Sequence, residues 1–107
     1  MANTPKPPYY AVIFPNRLTG EDLDGYAAMA ARMVELAQSQ PGYLGMDSAR
    51  DANGQGITVS YWRDMAAIAA WRDHPEHQLA QAQGRSTWYG EFDLHIAKVE
   101  RSYSFKR

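Results

Sequence analysis

The middle of the chain decides its fold: YLGMDSAR (residues 43–50), DANGQG (51–56) and ITVSYW (57–62). The first and third segments are rich in apolar and aromatic residues, and the third alternates them with polar residues, as β-strands do. The segment between them gathers Asp, Asn and Gly, which favour turns. Residues 43–62 therefore predict a β-hairpin with strands at 43–50 and 57–62.

A strand and a long helix are predicted before the hairpin. The apolar run Tyr9–Phe14 has strong β-formers, and Pro15 is expected to end it. Thr19 is suited to cap a helix, Asp22 stands at its third position, and Pro41-Gly42 closes it. Apolar residues then recur at helical spacing: Leu23, Tyr26, Ala27, Ala30, Met33, Val34 and Ala37. This periodicity predicts an amphipathic helix that packs these side chains inward.

Two short helices and a long strand are predicted after the hairpin. Asp64 can cap a helix over 65–73 with Met65 and Ile68 facing inward, and Pro75 can start a second helix over 75–83. The last strand is expected from Phe92 to Phe105, where the apolar residues change parity near Ala97-Lys98 and so indicate a β-bulge. Residues 1–8 are expected to be a flexible lead, and 9–105 a single domain.

The element order is strand, helix, strand, strand, helix pair, strand. Two crossovers around a hairpin predict an α+β, ferredoxin-like βαββαβ domain, in which an antiparallel sheet carries helices on one face. The strands have apolar residues at both odd and even positions, as at Tyr61 and Trp62, and therefore on both faces of the sheet. Because the helices cover only one face, a second subunit is expected on the other, which predicts a homodimer.

Composition excludes several classes of function. The chain has 11 Lys and Arg against 12 Asp and Glu, so it lacks the basic surface that a nucleic-acid partner requires. It has no cysteine and therefore no disulfide or thiolate site. No apolar run approaches the roughly 20 residues that span a bilayer, and the polar, proline-rich start does not resemble a signal peptide. A cytoplasmic location is expected.

Aromatic and histidine side chains gather around the two short helices, at Trp62, Trp71, His74, His77, Gln81, Arg85, Trp88 and Tyr89. Trp62 and Trp71 can line one apolar pocket between helix and sheet. The alternative is that both fill the core and that His74 only caps a helix. The pair His74 and His77 has no evident third ligand, so no metal site is expected.

The segments 57–62, Ala66–Trp71 and His74-Pro-Glu-His77 together resemble the antibiotic biosynthesis monooxygenase domain, and Ile96–Tyr103 fits the same pattern. The resemblance extends from about Tyr9 to Phe105. It implies a ferredoxin-like protomer that pairs into a dimeric α+β barrel. The family includes monooxygenases that oxidise aromatic polyketides without metal or flavin, haem-degrading enzymes, and members of unknown role.

The haem-degrading branch implies specific residues. It uses an Asn at the end of the first strand, a Trp on the second helix, and a His ten residues after that Trp. Asn16 and Trp71 match the first two positions, whereas the third is Gln81, with His77 about one turn earlier. Haem is therefore an alternative cofactor, while the resemblance to the cofactor-free branch implies none.

Cofactor-free oxygenation needs a bound phenol, a base, and exclusion of water, so that the phenolate can pass an electron to dioxygen. His77 is the candidate base, since histidine titrates near neutral pH. The catalytic candidates are His77, Asn16 and Trp71, which are expected to face one cavity, and the substrate-binding candidates are Trp62, Arg85, Gln81, Trp88 and Tyr89. The leading hypothesis is a small dimeric monooxygenase acting on an aromatic or quinol-like molecule. The alternatives are a non-catalytic small-molecule-binding or stress-related dimer, and a haem-binding or haem-degrading protein.

Overall fold

Five strands and three α-helices make up the computed structural model of the chain, which describes residues 1–107. The elements in order are β1 (Tyr9–Leu18), α1 (Leu23–Gln38), β2 (Tyr43–Arg50), β3 (Gln55–Trp62), α2 (Met65–Arg72), α3 (Pro75–Gln83), a π-helical turn (Gly84–Trp88), β4 (Tyr89–Phe92) and β5 (His95–Val99). None of the α-helices combines the length and the apolar composition that a membrane-spanning helix needs.

All strand pairs are antiparallel, and the sheet order is β2-β3-β1-β4, with β5 also paired to β1. β4 and β5 lie along the same edge of β1, because β4 pairs with residues 16–18 and β5 with residues 9–13. The central hairpin forms as predicted, with β3 starting two residues earlier at Gln55. This is the ferredoxin-like α+β fold, and the prediction of the fold class is confirmed.

The prediction that Pro15 ends the first strand is wrong, because β1 continues to Leu18. Pro15 pairs with Ile57 of β3, and its carbonyl accepts a hydrogen bond from the backbone N of Asp93 at 3.0 Å. The N and O of a strand residue point to the same side, so the missing N–H of Pro15 faces the gap between β4 and β5. A proline is tolerated there, because no strand requires a donor at that point.

The long last strand is also not formed as predicted. It is divided into β4 and β5 at Asp93-Leu94, opposite the part of β1 where Pro15 cannot donate a ladder hydrogen bond. Val99 pairs with Tyr9, the first residue of β1, so the chain beyond β5 has no strand left to pair with. Residues 100–107 are exposed and outside any strand, including Tyr103 and Phe105.

Helix α1 begins three residues later than an N-cap at Thr19 would place it. Asp22 is the N-cap, and its Oδ1 accepts from the backbone N of Gly25 at 3.2 Å. The Thr19 hydroxyl instead donates to the carbonyl of Thr87 at 2.8 Å. The inward face is also rotated: Ala37 at the end of the predicted stripe is buried, while Leu23 (52%) and Val34 (39%) of the same stripe are exposed.

The core is small and lies where α1 and α2 meet the sheet. Its buried members are Ala37, Trp62, Ala67, Ile68 and Trp71. Met65, predicted to face inward, is exposed because it begins α2 on the outer side. The accessible surface is 7312 Å², against about 6,000 Å² expected for a monomer of this mass. The single chain therefore leaves more surface uncovered than an ordinary monomer does.

The sheet face that carries no helices has its own apolar and aromatic side chains. The strand register places Ala11, Ile13, Val59 and Tyr61 there. The first eight residues lie along one end of this face, where the backbone N of Ala2 donates to Asp47 Oδ1 at 2.8 Å. The Tyr61 hydroxyl donates to the other oxygen of Asp47 at 3.0 Å. Tyr9 and Ala11 on this face are buried, whereas Ile13, Val59 and Tyr61 are only half-buried although no helix covers them.

Candidate functional site

Two separate clusters of polar and aromatic side chains lie on the helix-facing side of the sheet. The register pairs Trp62 with Tyr10 and Gly56 with Asn16. Tyr10 and Asn16 are six residues apart along β1, which corresponds to about 20 Å in a strand. We call the cluster around Trp62, Trp71 and His77 the tryptophan–histidine stack, and the cluster around Asn16, Tyr26 and Arg50 the arginine cluster.

The tryptophan–histidine stack grows from the junction of β3 with α2. Trp62 ends β3 and is fully buried, and its indole Nε1 donates to the Ser60 hydroxyl at 2.9 Å. Asp64 then starts α2 by accepting from the backbone N of Ala67 at 2.8 Å. Two helical turns later, Trp71 returns over Trp62, with ring centroids 6.3 Å apart and planes 26° apart. Both tryptophans are buried members of the core, which is the alternative to lining an open pocket.

His77 forms the outer layer of this stack. His74 caps α3 by accepting from the backbone N of Glu76 at 3.2 Å, and Pro75 occupies the first turn. His77 follows within that turn, and its ring lies on the Trp71 indole with centroids 4.1 Å apart and planes 12° apart. The helix restart at Pro75 is therefore what returns the imidazole to α2.

The hydrogen bonds of His77 indicate its tautomer. Its Nδ1 is 2.8 Å from the carbonyl oxygen of Trp71. A carbonyl can only accept, so we assign the proton to Nδ1, which leaves the lone pair on Nε2. Burial lowers the pKa of His77 below its ordinary value, the hydrogen bond to the Trp71 carbonyl opposes this effect, and the neighbouring His74 lowers the pKa further. The imidazole is therefore neutral at pH 7.

Gln81 stands one turn after His77 and holds the link between α2 and α3. Its Nε2 donates to the carbonyl of Arg72 at 3.0 Å and lies 3.4 Å from His77 Nδ1. Both nitrogens carry hydrogens in the tautomer assigned above, so they form no hydrogen bond, and Gln81 links α2 to α3 through the Arg72 carbonyl alone. Gln81 was predicted to contact substrate, and its amide nitrogen is engaged with the backbone of α2.

The arginine cluster holds Asn16, whose exposed fraction is only 4%. Asn16 Nδ2 donates to the carbonyl of Phe14 at 3.1 Å, and its Oδ1 accepts from Arg50 Nη2 at 2.8 Å. The same Nη2 donates to the Tyr26 hydroxyl at 3.0 Å, and Nη1 donates to the carbonyl of Gly54 at 2.7 Å. The structure thus brings Trp71 and His77 together, but no hydrogen bond links Asn16 to either.

Trp88 and Tyr89 lie near the arginine cluster. Trp88 is buried, donates from Nε1 to Asp22 Oδ2 at 3.2 Å, and meets the Tyr26 ring edge-on at 5.9 Å. Tyr89 packs edge-on against Phe14 at 5.4 Å. Burial is the main cause that raises the pKa of the Tyr89 phenol, and Tyr26 raises it further. Tyr89 therefore stays protonated.

The π-helical turn is what places the Tyr89 ring. A Cβ on the buried Gly84 would lie 2.7 Å from that ring, so only glycine leaves room for it. Arg85, in the same turn, is exposed, and its guanidinium lies 5.9 Å from the centre of the Phe92 ring. Arg85 forms no ion pair, whereas a structural ion pair was the alternative to substrate binding.

Three residues of the arginine cluster were not among the predicted site residues: Tyr26, Arg50 and Gly56. Tyr26 was assigned to the core stripe of α1, and Gly56 to the hairpin turn. Gly56 is the signal that could have indicated the cluster, because a glycine inside a strand often marks a close approach by another group. No group of three or more His, Cys, Asp or Glu side chains is arranged to hold a metal ion.

The chain is similar in sequence to one protein family and to individual members of known sequence. The family described as antibiotic biosynthesis monooxygenase matches residues 9–83. The chain is 52% identical over 106 residues to the uncharacterized protein YqjZ of Bacillus subtilis (strain 168), covering 99% of the chain and 92% of that relative. It is 25% identical over 95 residues to the Jasmonate monooxygenase ABM of Pyricularia oryzae, covering 87% of the chain and 44% of that relative. The chain thus spans less than half the length of this second relative.

Among solved structures, the fold is similar to that of SnoaB, a cofactor-independent oxygenase from Streptomyces nogalater. The TM-score is 0.76 at 12% sequence identity, covering 90% of the chain and 97% of SnoaB. At this identity the likeness concerns the fold. The match over residues 9–83, the resemblance noted in the sequence and the shared fold together show that the chain belongs to the antibiotic biosynthesis monooxygenase family.

Proposed function

We propose that this chain is a cofactor-independent monooxygenase that oxidises an aromatic, quinol-like molecule. The observation that carries the proposal is the pairing of His77 with Trp71. A neutral imidazole with its Nδ1 proton fixed on a carbonyl lies against an indole wall. That arrangement suits a general base beside an aromatic substrate.

The ligand is proposed to lie over the sheet between the two clusters. Four side chains on the helix-facing side occupy this stretch and are only half-buried: Val12, Phe14, Thr58 and Ser60. A closely packed helix layer would bury such central positions, so their exposure is consistent with space above them. Their mixture of apolar walls and two hydroxyls is typical of small-molecule sites.

The proposed reaction begins with proton transfer from the phenol O–H to Nε2 of His77. The phenolate then gives one electron to dioxygen, and the resulting pair combines to form a C–O bond. The peroxide so formed takes a proton and breaks at O–O as the carbon loses its hydrogen. One oxygen atom remains in a new C=O group and the other leaves as water, so that oxidation of the substrate carbon supplies all four electrons that reduce dioxygen. The balance requires no reductant beyond the substrate itself.

The relatives support this proposal at the level of reaction class. The Pyricularia oryzae protein is named a jasmonate monooxygenase, and SnoaB is described as a cofactor-independent oxygenase. The tryptophan–histidine stack provides this chain with a base and an apolar surface for such a reaction. Gln81 stands where the haem-degrading branch has its ligand, which favours the cofactor-free branch.

We also propose that the working form is a homodimer in which two sheets face each other. The sheet face without helices carries Ile13, Val59 and Tyr61, which are only half-buried, and the accessible surface exceeds that of an ordinary monomer of this mass. A second copy presents the same face and can bury these side chains. The result is the dimeric α+β barrel that the family resemblance implies.

The deciding experiment measures oxygen uptake by the purified protein with anthrone-type and naphthohydroquinone substrates in the presence of a strong chelator. We expect uptake of one O₂ per product, with one ¹⁸O atom in the product after reaction under ¹⁸O₂. Protein without metal, flavin or haem should retain full activity. Tight binding of these aromatics with no oxidation would replace this proposal by the non-catalytic binding dimer.

A further inference from the structure

Arg50 makes four contacts with neutral groups of three residues. Its guanidinium bonds to Asn16 on β1, to the Tyr26 hydroxyl on α1 and to the carbonyl of Gly54 in the hairpin turn. Its Cζ also lies 5.4 Å from the centre of the Tyr26 ring. These contacts fix the position of the cation but do not neutralise it.

No carboxylate lies close enough to form an ion pair with Arg50. The other arginines that the fold holds by hydrogen bonds pair with an acid: Arg17, Arg32, Arg63 and Arg72. Asp51, the next residue in sequence, accepts with Oδ1 from the backbone N of Asn53 and of Gln55, within its own turn. The charge of Arg50 is therefore fixed but uncompensated by any residue of the chain.

Gly56 creates the place that the guanidinium occupies. A Cβ at Gly56 would lie 2.6 Å from Arg50 Cζ and 2.7 Å from Nη1. These atoms are the outer end of a flexible side chain, which gives way before the backbone does. Any larger residue at position 56 would displace the guanidinium while leaving its charge intact.

The guanidinium still has donors for a ligand. Three of its five N–H groups make the bonds described above, which leaves two free. The side chain is partly exposed, so a ligand can reach it from solvent. The aromatic rings of Tyr26, Trp88 and Tyr89 lie beside the cluster and offer apolar contact to a ring attached to the bound group.

From this geometry we infer that Arg50 is an anion-binding residue, which holds the carboxylate of an aromatic acid at the end of the sheet marked by Asn16. The inference rests on the proposed function in one respect: it assumes that the carboxylate belongs to the aromatic substrate proposed above. It makes the substrate an aromatic acid whose anionic end lies at Arg50.

The test compares two probes of the same shape, 2-naphthoate and neutral 2-naphthamide, by calorimetry at pH 7.5 and low salt. Wild-type protein should bind the carboxylate about tenfold more tightly, as expected for one charge-assisted hydrogen bond at a partly exposed site. The preference should shrink as salt is added. Arg50→Gln should abolish it, and Arg50→Lys should retain only part of it.

Gly56→Ala tests the position of the Arg50 guanidinium separately from its charge. It keeps Arg50 and the net charge but moves the guanidinium, so the preference for 2-naphthoate should be lost as in Arg50→Gln. Arg63→Gln is the control, since it removes one exposed positive charge at the other end of β3 and should leave the preference unchanged. Circular dichroism and thermal melting identify any variant that fails to fold, and Tyr26→Phe then provides a milder perturbation of the same cluster.

Equal binding of the two probes by wild-type protein overturns the inference, and so does a preference that survives in folded Gly56→Ala. Arg50 would then serve only to fasten the hairpin to β1 and α1. The binding experiment does not depend on turnover. A carboxylate preference without oxidation of any quinol would refute the proposed function and leave the anion site standing.

Discussion

The imidazole of His77 lies flat on the indole of Trp71, at 4.1 Å between centroids, and its Nδ1 is held 2.8 Å from the carbonyl oxygen of that same residue. One residue thus fixes both the plane and the tautomer of the histidine. The stack on the ring fixes the orientation, and the hydrogen bond to the backbone fixes the proton. The chemistry expected of His77 follows from this double constraint.

Replacing His77 by Ala should reduce kcat/KM for a hydroquinone substrate by about 10²-fold or more, the usual scale for loss of a general base. The measurement is steady-state oxygen uptake at pH 7.5. Gln78→Ala, an exposed position on the same helix, is the matched control and should retain activity. If folded His77→Ala turns over normally, His77 only supports the helix junction.

Acid should destabilise the protein through His77. Its pKa is lowered in the folded state, whereas a histidine in the unfolded chain has the ordinary pKa of about 6.5. Below that pH the unfolded state takes up a proton that the folded state resists, so the free energy of unfolding falls as pH falls and recovers as pH rises. Urea unfolding at pH 7.5 and 5.5 should show a smaller loss for His77→Gln than for wild-type protein. An NMR titration that gives His77 a pKa above 6.5 would contradict this.

The fold could be predicted because the deciding signals are local. The hairpin at 43–62, the Asp64 cap and the restart at Pro75 each depend on neighbouring residues, and each appears in the structure. What failed depends on tertiary partners. Pro15 remains inside β1 only because β4 and β5 separate beside it, and the sequence contains no local sign of that gap.

The candidate site could be predicted in part for the same reason. Trp62, Trp71 and His77 lie within one strand–helix–helix segment, so their spacing indicated that they meet. The arginine cluster joins Asn16, Tyr26 and Arg50, which come from three separate elements. Only the folded sheet brings these together, and the same topology separates Asn16 from the histidine by the length of β1.

Light scattering at micromolar concentration should give twice the 12.1 kDa mass of the chain. Val59→Asp should convert the dimer to a monomer, because it places a charge at the centre of the sheet face without helices. Leu79→Asp is the control: this side chain is 66% exposed on α3, and the change should leave the mass unaltered. A wild-type mass near that of one chain at every concentration would refute the dimer.

Haem, if added with a reductant and oxygen, should not be degraded efficiently. Gln81 offers no ligand of the kind that iron requires at the position where the haem-degrading branch has a histidine, and its amide nitrogen bonds to the Arg72 carbonyl. The Soret band should therefore persist through prolonged incubation with ascorbate. Rapid bleaching with release of iron would show instead that His77 serves as a shifted ligand.

Trp71→Phe should affect binding more than chemistry. The smaller ring keeps an apolar wall but loses part of the stack with His77 and Trp62. Aromatic pairs of this kind contribute about 0.5–1.5 kcal/mol. We therefore expect KM for the quinol to rise by about three- to tenfold, with a smaller fall in kcat.

A second effect of Trp71→Phe distinguishes a Trp71 that contacts the substrate from one that only fills the core. Trp71 covers one face of His77, and burial is the main cause of the lowered pKa of that histidine. A smaller ring exposes the imidazole to water, so its pKa should rise and the acidic limb of the kcat/KM profile should move to higher pH. A fall in kcat with KM and the acidic limb both unchanged would mean that Trp71 contacts neither the substrate nor the base, and acts through the stability of the core alone.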